Sequence, residues 1–173
     1  MKNFVSINRR CLLILGVVVC LFYTISQVYS ADEQIIEAKS YIKYVSDMEP
    51  ILAIGKYIKD KDVEGNLINL GTIKFEKGLC VPSNNSKFTY KIPTGSSIFK
   101  AVVGNDNAFA EYLGELTFII YVDDQKVYES KPIKQNEKEE ISVSIKRGSK
   151  ITLEVKDDGT PTNYAVWADA SFF

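Results

Sequence analysis

Three stretches of this chain alternate apolar and polar residues with a period of two, and no amphipathic helical period of any length interrupts them. Phe88, Tyr90 and Ile92 alternate with Lys87, Thr89 and Lys91. Ile141, Val143 and Ile145 alternate with Ser142, Ser144 and Lys146. Ile151, Leu153 and Val155 alternate with Thr152, Glu154 and Lys156. Successive strand side chains point to opposite faces, so each stretch reads as a strand with one face in a core and one in water. Residues 98–103 and 116–122 are nearly all apolar and read as strands covered on both faces. Turn signals separate these segments: Pro93-Thr94-Gly95, Asp123-Asp124, Arg147-Gly148 and Asp157-Asp158-Gly159-Thr160-Pro161. The pattern predicts an all-β fold, an antiparallel β-sandwich.

Residues 163–173 carry the only Trp, Trp167. A period of two places Tyr164, Val166, Ala168, Ala170 and Phe172 on one face. Ala165, Trp167, Asp169, Ser171 and Phe173 fall on the other. Such a strand is expected in the middle of a sheet. Before the clear strands, residues 51–54 are a short apolar segment ended by Gly55, and residues 56–65 read as a charged surface loop. Two short strand-like pieces flank Gly71, and Glu76-Lys77-Gly78 is a turn signal.

The chain has 173 residues, enough for one domain. Lys2, Arg9 and Arg10 precede a run of twelve apolar residues, 11–22, and Val28-Tyr29-Ser30-Ala31 offers small residues for cleavage. This is the order of a secretory signal peptide over residues 1–30. An uncleaved anchor is the alternative, although spanning a bilayer takes about 20 apolar residues. Residues 31–40 read as a polar leader and residues 41–173 as the domain. The expected location is secreted, extracellular or periplasmic, with no membrane partner after cleavage.

Cys11 and Cys20 fall in the signal, so the exported chain keeps Cys80 alone and forms no internal disulfide. Cys80, between Leu79 and Val81, reads as a small buried hydrophobe. Cleavage leaves 18 basic residues against 22 acidic ones, a net charge of −4. No basic stripe is present to neutralise phosphates, so nucleic acid is not an expected partner. The absence of histidine removes a Ser-His-Asp or Cys-His machine and the commonest zinc ligand. A glycosidase needs two facing acids in a cleft, and the acids here lie in loops or on solvated strand faces, so the chain is not read as an enzyme.

Three stretches could form a binding site: residues 75–83, residues 104–109, and the last strand with Trp167 and Asp169. Asn105, Asp106 and Asn107 are dense in the groups that bond sugar hydroxyls, and an aromatic face stacks on sugar C–H groups. Two readings of Trp167 stand at this stage, a buried core residue and a sugar platform.

The order of several short motifs is more specific than any one of them. Tyr44-Val45-Ser46-Asp47, Glu76-Lys77-Gly78-Leu79 and Phe99-Lys100-Ala101-Val102-Val103-Gly104-Asn105-Asp106 follow one another. Gly114-Glu115-Leu116-Thr117-Phe118, Tyr121-Val122-Asp123-Asp124, Leu153-Glu154-Val155-Lys156-Asp157 and Trp167-Ala168-Asp169-Ala170 complete the series. From about residue 41 to 173 the chain resembles the NPCBM/NEW2 carbohydrate-binding modules. The resemblance implies a galactose-binding-like jelly roll that recognises galactose-containing glycans without catalysis, usually attached to a glycoside hydrolase, with structural Ca²⁺ common in the fold. By position it carries Lys77, Asn105, Asp106 and Trp167 to a sugar site, and Asp47 and Asp169 to ion contacts. The chain departs from the family where Cys80-Val81-Pro82-Ser83 stands in place of a His-containing segment, and the module is expected to stand without an attached catalytic domain. An exported structural or protein-interaction sandwich that has lost sugar binding is therefore the alternative reading.

Overall fold

The alternating stretches become paired strands. A computed structural model describes residues 42–82, 85–106, 114–146, 148–159 and 163–173. The signal and leader segments, and Asn107 with the residues up to 113, lie outside the described residues.

Among the described residues the strands are β1 (Lys43–Tyr44), β2 (Leu52–Ile54), β3 (Ile58–Lys59), β4 (Ile68–Leu70), β5 (Ile73–Phe75), β6 (Gly78–Val81) and β7 (Ser86–Lys91). They continue with β8 (Ile98–Asn105), β9 (Leu116–Val122), β10 (Gln125–Glu129), β11 (Lys138–Ser144), β12 (Lys150–Asp157) and β13 (Ala165–Phe172). A single 3-10 turn, Val45–Asp47, follows β1. The first sheet runs β11-β8-β13-β6-β3, with β1 also paired to β13. The second runs β10-β9-β12-β7-β2, and β4 and β5 form a separate hairpin. All pairings are antiparallel. The fold is an antiparallel β-sandwich, and β13 lies between β8 and β6 as its sequence predicts.

The inner faces of the two sheets form the main core. Trp167 of β13 meets Phe118 of β9 edge-on, with ring centroids 5.1 Å apart, and Phe99 lies 5.4 Å from Phe172. A second, smaller core lies on the outer face of the first sheet, where Ile68, Leu70 and Phe75 of the β4–β5 hairpin cover Cys80, Val166 and Ala168. The hairpin explains why β13 is apolar on both sides. It covers one half of that outer face and leaves the other half open.

The period of two in β13 does not run through. Register shifts between Ala168 and Ser171, and Asp169 has φ +46°. This is a β-bulge, which inserts a residue and changes the phase of the side chains. Ala165 and Trp167 face the main core before it, and Ala170 and Phe172 face that core after it. The expected split into two constant faces is corrected accordingly. The covered-on-both-faces reading of residues 98–103 is also corrected: Lys100 and Ile98 are exposed, because the hairpin does not extend over their end of β8.

Candidate functional site

The sequence-predicted residues separate into three places. Lys77 stands in the turn between β5 and β6. Its ammonium lies 2.6 Å from Asp47 and 3.0 Å from Asp60, and 6.0 Å over the Tyr44 ring. The bonds to Asp47 and then Asp60 raise its pKa. Burial pushes the Asp60 carboxyl up, but the bonds from the Lys77 ammonium and the Gly78 N–H help to hold the group below its ordinary value. The Lys77 carbonyl accepts from the Asp169 N–H at 2.9 Å. Lys77 thus ties Tyr44, Asp47 and the bulge together. Asp47 faces an ammonium, and among the described residues no three His, Cys, Asp or Glu side chains converge on a common point.

Asn105 and Asp106 lie at the far end of β8. The Asn105 amide donates to Asn163 Oδ1 at 2.9 Å, and its Oδ1 accepts from the Tyr164 N–H at 3.0 Å. Asn163 Oδ1 also accepts from the Gly114 N–H at 2.8 Å, and its amide donates to Asp157 at 2.9 Å. Asp106 accepts from the Asn69 N–H at 3.3 Å, which fastens the β4–β5 hairpin. Asn105, Asp106 and Asn163 are all buried. Asn105 and Asn163 face each other and Asp106 faces the hairpin backbone, so the three hold strand ends in place. Asn163 was not singled out in the sequence; an Asn just before a strand gives no periodic signal.

Trp167 has no exposed surface. A ring enclosed on all sides cannot stack on a sugar, so its assignment to a sugar face is corrected and the core reading stands. Gly78, the first residue of β6, has no side chain, and this allows the closeness of β6 and β13 here. A Cβ at Gly78 would sit 2.6 Å from the Trp167 carbonyl oxygen.

The open half of the first sheet's outer face forms a groove of about 490 Å³. Its floor is a cross-strand patch in which Ser142 of β11 pairs with Lys100 of β8, and Lys100 with Ser171 of β13. Glu140 and Asp169 add carboxylates, and Tyr44 and Phe173 are the aromatic walls. The Lys100 ammonium lies 4.9 Å over the Phe173 ring and the Lys77 ammonium holds Tyr44 from its side, so cations help place both rings. The bulge turns the Asp169 side chain outward. Burial, and then the charge of Glu76, raise its carboxyl above the ordinary value. Rings, hydroxyls and carboxylates around an open groove suit a polyhydroxylated ligand with one apolar face. Among the sequence-predicted residues only Asp169 lines it, and Lys77 supports it from beneath.

The NPCBM/NEW2 domain matches residues 42–173. The chain belongs to the NPCBM/NEW2 family. This NPCBM/NEW2 domain is a carbohydrate-binding module by family, and it shares the fold of such modules. It is similar to the structure of the CBM51-2 and INT domains of Clostridium perfringens ZmpB, with 29% identity and a TM-score of 0.69. That likeness covers 76% of this chain and 31% of the other. A second similar structure is the CBM51 module of C. perfringens GH95 in complex with methyl-galactose, at 24% identity and TM-score 0.70, covering 76% and 99% of the two chains. The ZmpB CBM51-2 domain was also solved in complex with GlcNAc, at 29% identity, a TM-score of 0.69 and the same coverage, 76% and 31%. No curated protein sequence matches the chain.

Proposed function

We propose that this NPCBM/NEW2 module recognises a galactose-type pyranoside of an extracellular glycan in the first-sheet groove and breaks no bond. The observation that carries this reading is the placement of Tyr44 and Phe173 across a floor of Ser142, Lys100, Ser171 and Asp169. One ring takes the C–H face of the sugar, and the carboxylate and hydroxyls take its hydroxyl groups in paired hydrogen bonds. The open groove and the absence of histidine favour binding over catalysis. The basic, apolar and small-residue order of residues 1–30 supports export.

The two sugars present in the CBM51 complexes are the natural first ligands. Calorimetric titration of the full chain with methyl-galactoside and with GlcNAc is the test. Binding of at least one is expected, weakened roughly ten-fold in Tyr44→Ala, since a lost aromatic contact costs about 1 to 1.5 kcal/mol. Asp169→Asn should weaken it as well, because a charged acceptor is replaced by a neutral one. A folded protein that binds neither sugar would overturn the reading and return attention to a protein partner. Binding that Tyr44→Ala and Asp169→Asn both leave unchanged would move the sugar out of this groove.

A further inference from the structure

The outer face of the second sheet carries its own groove, of about 400 Å³. Its floor is one cross-strand row. Leu52 of β2 pairs with Thr89 of β7, Thr89 with Thr152 of β12, and Thr152 with Tyr121 of β9. The two threonine hydroxyls lie 2.9 Å apart. One donates to the other, so the pair keeps a hydrogen and free lone pairs for a ligand.

Two cations border this floor. The Lys87 ammonium lies 5.4 Å over the Tyr121 ring and 2.8 Å from Glu154. The Lys150 ammonium lies 2.7 Å from Asp124, whose side chain is 77% exposed. An exposed pair of that kind contributes little and yields readily to a better anion. On the β2 side the groove is walled by Ile51 and Leu52, 65% and 48% exposed. Large aliphatic side chains so exposed beside paired cations are the feature of this face that the sandwich itself does not require.

We propose that this groove is a second ligand site, for an acidic sugar, a pyranose ring that bears a carboxylate. The C–H face of the ring lies on the aliphatic wall, its hydroxyls bond the Thr89–Thr152 pair, and its carboxylate takes Lys150 in place of Asp124. A neutral sugar leaves the ammonium groups unused. A bare anion leaves the aliphatic wall unused. The site lies on the opposite side of the sandwich from the first groove and does not depend on the reading given for it.

The test follows backbone amide shifts of the full chain by NMR during titration with galacturonate, N-acetylneuraminate, galactose and acetate. At least one of the two acidic sugars is expected to move the amides of Thr89, Tyr121 and Thr152. Galactose and acetate at the same concentrations should leave them in place. Lys150→Gln should weaken the acidic sugar at least ten-fold; Asp124 is exposed, so this variant leaves no buried charge behind. Thr152→Val, which keeps the shape and removes the hydroxyl, should weaken it too, whereas Tyr44→Ala should not. The proposal is overturned if neither acidic sugar moves these amides, if galactose or acetate moves them as far, or if Lys150→Gln binds as tightly as the parent.

Discussion

Asp169 combines a left-handed backbone, φ +46°, with a carboxyl raised first by burial and then by Glu76. The folded protein holds this proton more tightly than the unfolded chain does. The contribution of Asp169 to stability is therefore greatest below the ordinary Asp value of 3.8 and is lost as pH rises through the raised folded value. Asp169→Asn should make the protein more stable at neutral pH, and the gain should shrink at acidic pH. Asn also accepts left-handed backbone, so the substitution does not strain the bulge. Urea melts at pH 7 and pH 3 would check this; an equal gain at both would remove the charge from the account. Gly78 is the opposite case. An added Cβ meets the Trp167 carbonyl oxygen at 2.6 Å and the Ala168 Cα at 3.0 Å, both backbone atoms that cannot swing aside. Gly78→Ala should lower stability by about 1 to 3 kcal/mol, visible as a lower denaturant midpoint.

The β4–β5 hairpin is the element that gives the first sheet a second core. It covers Cys80, whose thiol is pushed up to about 12 by burial and then by the charges of Asp106 and Asp62. The thiolate is the reactive form, so the folded protein should react slowly with thiol reagents. Ile68→Ala should cost about 2 to 5 kcal/mol and speed the labelling of Cys80 by loosening its cover. Labelling as slow as in the parent would show that the hairpin does not gate the thiol. The two pieces of this hairpin around Gly71 are visible in the sequence as short apolar stretches. What they cover is not, because both pieces are too short to carry a period. The strands β7, β9, β11 and β12 are legible because each keeps one face in the core throughout. In β13 the alternation misleads, since the bulge changes its phase at Asp169 and an aspartate gives no warning of that. The two-residue β3 is hidden in a charged segment for the same reason of length. The candidate groove leaves no local signature in the sequence: Tyr44, Lys100, Glu140, Ser142 and Phe173 come from four segments of chain, and only the register brings them together.

Each sheet of this sandwich buries its inner face against the other and carries a groove on its outer face. The main core lies between the grooves, and neither groove shares a lining residue with the other. Two ligands should then bind independently. A ligand present at one hundred times its Kd stabilises the folded state by about 2.7 kcal/mol, whichever face it occupies. With galactoside in the first groove and galacturonate or N-acetylneuraminate in the second, both at that excess, the contributions should add to about twice that value. Chemical denaturation with each ligand alone and with both together measures this directly. If the two sugars compete for one site, the combined stabilisation stays close to that of one ligand alone, about 2.7 kcal/mol plus a few tenths. A sum that reaches the full double places the ligands on separate surfaces, and Tyr44→Ala and Lys150→Gln, each weakening its own ligand about ten-fold, should then each lower it by about 1.3 kcal/mol. A module with two such faces could hold a neutral and an acidic glycan at once, and the core between them would serve as a rigid spacer.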